Sequence, residues 1–234
     1  MSTFILKRLS YTVFVLFGLS ILIFVIARVL PGDPARLALG PRAPDWAVEN
    51  LRQQLHLNEP LYIQYFYWLR DALSGSLGQS LVTRRDVMVD VKDFLPATLE
   101  LILIAAMLDV ALAIPIGMLA GRRANSWFDN IVRVLSYVGV AVPAFVVAIV
   151  FLLVFGFMLN IAPSIGRLSP NIPAPPTVTG LITIDSLISG NTAAFFDALA
   201  HLILPALALA LGCIAQEARI TRSSVVENLN KDYI

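Results

Sequence analysis

Four long apolar runs, at residues 9–30, 95–120, 132–159 and 199–218, restrict this chain to one solvent, a lipid bilayer. Each is long enough to cross a hydrocarbon core of about 30 Å at a rise of about 1.5 Å per helical residue. Inside that core a lone segment satisfies its own backbone only as a helix, so the runs predict an all-α, polytopic transmembrane bundle. Charge agrees: 14% of the residues are Asp, Glu, Lys or Arg, against about 25% in a soluble domain. The 17 basic and 16 acidic side chains nearly cancel, which argues against a nucleic-acid partner. The single cysteine, Cys213, lies in an apolar run and reads as a small hydrophobe; it leaves no intrachain disulfide to form.

The first run follows Lys7 and Arg8 and closes at Pro31-Gly32-Asp33-Pro34. A signal peptide would have an apolar core of about 7–15 residues and a small-x-small cleavage site. Val29-Leu30-Pro31 supplies no such site, so the run is read as an uncleaved span. Arg122, Arg123 and Arg133 flank the second and third runs, while Arg219, Arg222 and Lys231 follow the fourth. By the positive-inside rule the N-terminus and the 121–131 turn face the cytosol. Residues 31–94 and 160–198 then form two extracytoplasmic loops.

Asp109 falls in the middle of the second run. A central Asp costs about 2.5–3.5 kcal/mol, while each Leu, Ile or Val returns about 0.3–0.6 kcal/mol. Ten such residues between Leu101 and Ala120 return roughly 3–6 kcal/mol, so the helix still inserts. Asp109 is either a solute-pathway residue or a hydrogen-bonded carboxyl between helices. Pro115, Pro143 and Pro205 each free a backbone carbonyl and are expected to kink their helices. Pro143, with Phe145 beside it, is the candidate gate; static packing is the other reading.

In the first loop, residues 45–57 place Ala47, Leu51 and Leu55 on one helical face, and Asn58-Glu59-Pro60 stops that helix. A second helix from Leu61 carries Tyr62, Tyr65 and Trp68, which suit a headgroup layer or a platform for a solute-delivery protein. His56 reads as a solvated or capping residue. Ser74-Gly75-Ser76-Leu77-Gly78-Gln79-Ser80 is a turn without the Lys-Ser/Thr of a phosphate loop, and no P-loop occurs elsewhere. The Pro-rich 160–198 loop predicts one short helix near residues 184–189. Two distant histidines predict no metal site. No cofactor is expected, and no catalytic cluster falls at a common depth.

The fourth run passes without a loop into Ala218-Arg219-Ile220-Thr221-Arg222-Ser223-Ser224, which predicts a helical arm leaving the bilayer. On it Arg219 and Arg222 are spaced i, i+3, Val225, Val226 and Leu229 form an apolar stripe, and Glu227 pairs with Lys231 at i, i+4. Ser223, Asp232 and Tyr233 complete the candidate coupling segment, 219–234.

Distributed motifs make the chain similar to the B-type permease subunits of dipeptide, oligopeptide and nickel ABC importers. They include Leu30 through Pro34, Leu55 through Tyr65, Gly75 through Leu81, Leu95-Pro96-Ala97-Thr98-Leu99-Glu100-Leu101, and Ile114-Pro115-Ile116-Gly117. Ser126-Trp127-Phe128-Asp129, His201 through Ala206 and Asp232-Tyr233-Ile234 extend the match. The chain departs from the pattern at Ser76, His56 and Ala141-Val142-Pro143, where an acidic residue, a glycine and Ser-x-Pro are usual.

The resemblance implies a type I ABC importer permease domain forming half of a heterodimeric pathway for di- or oligopeptides or a similar small solute. It implies a second, C-type permease, two cytosolic ATPases that hydrolyse ATP in its stead, an extracytoplasmic solute-binding protein, and a multi-pass place in a bacterial inner membrane. Such permeases usually carry about six spans, so the chain is expected to be a truncated subunit lacking the C-terminal spans. The alternative is a non-transporting membrane adaptor or assembly fragment.

Overall fold

The computed structural model describes residues 2–29, 33–80, 82–229 and 231, and its chain divides into two units, residues 1–92 and 93–234. Among the described residues the regular structure is helical, apart from one isolated antiparallel bridge between Gln79 and Asp86.

The first unit begins with α1, Ser2–Val29, which carries the first candidate span, Thr3–Ile26. Only 6% of its most apolar window is buried. Its hydroxyls do not go unpaired in that apolar setting. Ser10 and Thr12 donate to the carbonyls of Leu6 and Arg8, four residues back. Asp33 caps α2 (Pro34–Leu39), with Pro34 preset for a first helical turn. Next come α3 (Asp45–Gln54) and α4 (Leu61–Leu73). α3 stops three residues short of the expected 57, and Leu55 serves as its C-cap. Val48 is its buried residue, so the helix turns a slightly different face inward than Ala47, Leu51 and Leu55 predicted. His56 caps α3 as expected: it adopts a left-handed φ of 54° just past Leu55, its N–H donates to the Gln53 carbonyl and the Leu57 N–H to the Arg52 carbonyl, and its ring stacks on Tyr67 at 4.1 Å.

α5, Val87–Arg122, starts eight residues before the expected 95 and runs on through the second unit. That unit continues with α6 (Trp127–Ala141), α7 (Ala144–Phe151), a π-helical segment (Leu152–Met158), α8 (Ile182–Ile188) and α9 (Thr192–Leu229). The short helix expected near 184–189 is thus present as α8. Both α5 and α9 are long and apolar enough to cross a membrane. Pro115 and Pro205 lie inside them without interrupting either helix. Only Pro143 ends one: α6 and α7 meet there at 104°.

Candidate functional site

α5 meets α9 along a ridge of small residues. Ala105, Ala113, Gly117 and Gly121 recur on α5 at fourfold spacing and are all buried, as are Ala206, Ala210 and Ala218 on α9. Small side chains let helix backbones approach closely where lipid supplies no hydrophobic drive. At Gly117 the approach is tightest: a Cβ there would lie 2.6 Å from the Ala218 carbonyl and 2.6 Å from Thr221 Cβ. Asp109 belongs to the same ridge. Its side chain is partly buried, and its Oδ1 is buried with no hydrogen-bond partner among the described residues.

The break at Pro143 changes the third span. Val142 is extended (φ −92°, ψ 124°), so the α6 hydrogen-bond ladder stops and Pro143 opens α7. α6 alone has 15 residues, about 22 Å, too short for the core. Yet α6 and α7 follow α9 in opposite direction from one part of it to the other. Asp129 pairs with Arg222, and Gly139 abuts Ala215 and Leu211. Ala148 and Leu152 then share a cavity of about 170 Å³ with His201, Leu204 and Pro205. The structure thus has three helices long and apolar enough to cross a membrane among the described residues, and a fourth crossing if the bent α6–α7 pair is one span. Phe145 projects from the bend and is 67% exposed.

At the other end of α6 lies a pairing the sequence did not announce. Ser126 caps the helix by accepting the Asp129 N–H at 3.2 Å, and the Asn125 N–H donates to Asp129 Oδ2 at 2.9 Å. Arg222 reaches in from α9 as a fork: Nε donates to Oδ1, and Nη2 donates to Oδ2 at 2.7 Å. Asp129 is fully buried. Two-point guanidinium–carboxylate pairing fixes orientation as well as distance. Arg222 is thus held inside the unit, while Arg219, Ser223 and Glu227 are exposed on the same helix. The expected Glu227–Lys231 pair is present at 3.8 Å. Asp232 and Tyr233 lie outside the described residues.

Carboxylates also organise the 160–198 loop. Glu100 is 2% exposed; it accepts the Thr183 N–H and hydroxyl on Oε1 and Arg167 Nη2 on Oε2 at 2.7 Å. Asp185 gathers the N–H groups of Val178, Thr179 and Gly180 and the Thr179 hydroxyl. Burial pushes its pKa up, but the hydrogen bonds from Thr179, Val178 and Gly180 outweigh it and leave the carboxyl below its ordinary range. Asp197 accepts both the N–H and the hydroxyl of Ser169. His201, placed at a span boundary by sequence, is buried, and its Nδ1 lies 2.8 Å from the Asp197 carbonyl.

The aromatic trio in the first unit splits. Tyr65 hydrogen-bonds Ser20 at 2.8 Å and meets Phe24 edge-on at 5.3 Å, and Trp68 lies 5.9 Å from the same ring. These two pack α4 onto α1, which corrects their expected place on an open platform. Tyr62 alone of the three is fully exposed, at 74%.

Sequence comparison decides the family. Residues 113–234 match the model described as "Binding-protein-dependent transport system inner membrane component". Residues 1–102 match its N-terminal companion, "Binding-prot-dependent transport system membrane comp, N-term". The chain belongs to this family. Among its relatives is the probable D,D-dipeptide transport system permease protein DdpB of Escherichia coli (strain K12), 43% identical over 95% of this chain and 65% of DdpB. The dipeptide transport system permease protein DppB of Alkalihalophilus pseudofirmus is 36% identical over 100% of this chain and 70% of its own. The glutathione transport system permease protein GsiC of E. coli O6:H1 is 32% identical over 100% of this chain and 67% of GsiC. The chain therefore spans about two thirds of the length of these permeases. Membership in a permease family does not favour the adaptor alternative.

Proposed function

We propose that this chain supplies the membrane pathway of an ATP-driven, binding-protein-dependent importer of dipeptides or similar small solutes. The observation that carries the mechanism is the Asp129–Arg222 fork, which ties the 122–126 turn to the end of α9. A second, C-type permease would complete the pathway, two cytosolic ATPases would bind and hydrolyse ATP, and an extracytoplasmic binding protein would deliver solute. The printed functions of the relatives, dipeptide and glutathione transport, support this solute class. In this reading the bilayer is the bacterial inner membrane, the N-terminus is cytosolic, and the 160–198 loop is extracytoplasmic.

The exposed Arg219, Ser223 and Glu227 would face the ATPases, while Arg222 keeps their helix registered against α6. Asp109, Pro143 and Phe145 would line or gate the pathway: Asp109 has an unused acceptor oxygen, and Pro143 marks the bend. Tyr62 is the exposed aromatic left for the binding protein.

The test is ATP-dependent dipeptide uptake by the full-length permease, assembled with its partner subunits in proteoliposomes and supplied with binding protein. Arg219→Glu should lower solute-stimulated ATP hydrolysis while docking of the binding protein stays intact. An assembled complex that moves neither dipeptides nor glutathione would overturn the solute assignment. For orientation, cysteines introduced at Ala124 and Thr177, with Cys213→Ser as background, should be protected from and open to an external impermeant thiol reagent, respectively. The reverse pattern would invert the topology.

A further inference from the structure

The cavity of about 170 Å³ in the second unit is bordered by His201, a buried side chain to which the proposed transport assigns no role. Three elements build its wall: Ala148 and Leu152 where α7 passes into the π-helical segment, Ser164 and Ile165 of the following loop, and His201 and Pro205 of α9. Ala148 follows Phe145 by three residues, so the cavity adjoins the bend that would gate the pathway.

The imidazole has one committed edge and one free edge. Nδ1 lies 2.8 Å from the Asp197 carbonyl, which can only accept. Nδ1 therefore carries the proton, and Nε2 of the neutral ring is a lone pair. Nε2 has no partner among the described residues. It is not sealed: 4% of the side chain stays exposed, whereas Gln64 Oε1 and Asp109 Oδ1 are closed off. Ser164 Oγ packs against Gly156, where a Cβ would collide with it, and has no hydrogen-bond partner among the described residues. Pro205 has no N–H to give the His201 carbonyl, which adds a third acceptor to the same stretch of wall. No Lys or Arg is in the described wall, and the Asp197 carboxylate lies 3.5 Å from Nδ1, behind the ring.

We infer that this cavity binds a protonated primary amine, with His201 Nε2 and Ser164 Oγ accepting its N–H groups. An ammonium has three donors and no acceptor, the complement of such a wall. A carboxylate would instead meet lone pairs backed by the Asp197 charge. Resting on the proposed import of dipeptides, the amine is the amino terminus of the solute in transit. Phosphatidylethanolamine carries the same group, so the bilayer used in the test contains phosphatidylglycerol alone.

The full-length permease, labelled with ¹⁵N-histidine and assembled with its partner subunits, is titrated in such bilayers without binding protein and followed by solid-state NMR. The Nε2 resonance of His201 is the one lost in His201→Asn, which keeps a donor towards Asp197 and removes the acceptor. Ethylammonium should move that resonance upfield by more than its linewidth, and propionate, of similar size, should not. Ala-Ala should half-saturate the shift at about one tenth of the concentration that N-acetyl-Ala-Ala needs, the lower end for a hydrogen bond to a charged group. Ser164→Ala, an exposed position that tests the site even if His201→Asn fails to assemble, should raise the half-saturating ethylammonium concentration about fivefold. An Nε2 resonance that ignores ethylammonium, answers propionate equally, or responds unchanged in Ser164→Ala would overturn the inference. A response to ethylammonium but not to Ala-Ala would overturn the assignment to the solute. Dipeptide uptake by the same assembly keeps the two claims apart: uptake with a silent Nε2 sinks the amine site and leaves the transport reading standing.

Discussion

The α5–α9 ridge and the 160–198 loop hold their parts together by opposite means. The ridge does it by absence of volume, with Gly117 and Gly121 letting two helices nearly touch. The loop does it by collecting donors: Glu100, Asp185 and Asp197 each bind backbone N–H groups that a Pro-rich segment could not pair in a helix or sheet. The ridge should therefore be sensitive to added atoms and indifferent to acid, and the loop the reverse. Asp129 is where the two means meet, because a buried carboxylate there secures the end of the same α9 helix.

The largest effect is expected from Asp129→Ala. Removing one partner of a buried pair costs roughly 3–5 kcal/mol. Arg222, still 19% exposed, recovers some hydration, so the lower end of that range is expected in detergent unfolding. Asp129→Asn keeps the shape but not the charge and should fall between the wild type and Ala. If Asp129→Ala unfolds as the wild type does, the fork is not what holds the turn.

Gly117→Ala comes next. Its Cβ requires α5 and α9 to separate, at roughly 1–3 kcal/mol for overpacking, with no change in pH dependence. A wild-type melting curve for Gly117→Ala would mean that the ridge is looser than its 2.6 Å approach implies.

The loop supplies the acid test. A carboxyl whose pKa is depressed in the folded state contributes stability that is complete above its ordinary value of 3.8 and is lost as the pH falls through the depressed one. Exchange protection of the Val178, Thr179 and Gly180 amides should therefore be flat at neutral pH. It should fall only below pH 3.8, after correction for intrinsic exchange, while ridge amides stay protected. Asp185→Asn should remove the dependence. The smallest effect is Glu227→Ala, whose exposed pair with Lys231 is worth about 0.3–0.5 kcal/mol and should weaken further in high salt.

How much of this was legible depended on range along the chain. Apolar runs reveal helices because their cause is local, so α1, α5, α9 and the helical arm could be read directly, and α8 from the turn signals around it. Partners 93 and 67 residues apart, Arg222 with Asp129 and Arg167 with Glu100, left no local trace. Glu100 looked like part of a span-opening motif, and Asp129 entered only as part of the Ser126-Trp127-Phe128-Asp129 match. The one available signal was cost: an acid or arginine at the edge of an apolar run needs a partner, and the lone Arg167 of the second loop was a reason to look for one. Asp109 was visible for the same reason, and in the ridge its Oδ1 is buried without a hydrogen-bond partner among the described residues. Asp109→Asn should assemble normally, whereas Asp109→Lys should reduce complex recovery. Tyr65 and Trp68 were misplaced because aromatic residues suit both an interface and a helix–helix contact, and only the position of Phe24 separates the two.

The continuity of α9 has a mechanical consequence. Its 38 residues make a rod about 57 Å long, nearly twice the roughly 30 Å hydrocarbon thickness. Pivoted near its middle, such a rod converts a tilt of about 10° into a swing of about 5 Å at each end, in opposite directions. Its far end is forked to Asp129 and its near end is tied through Asp197 to Ser169, so a tilt that kept both anchors would carry the start of α6 and the Ser169 turn in opposite directions.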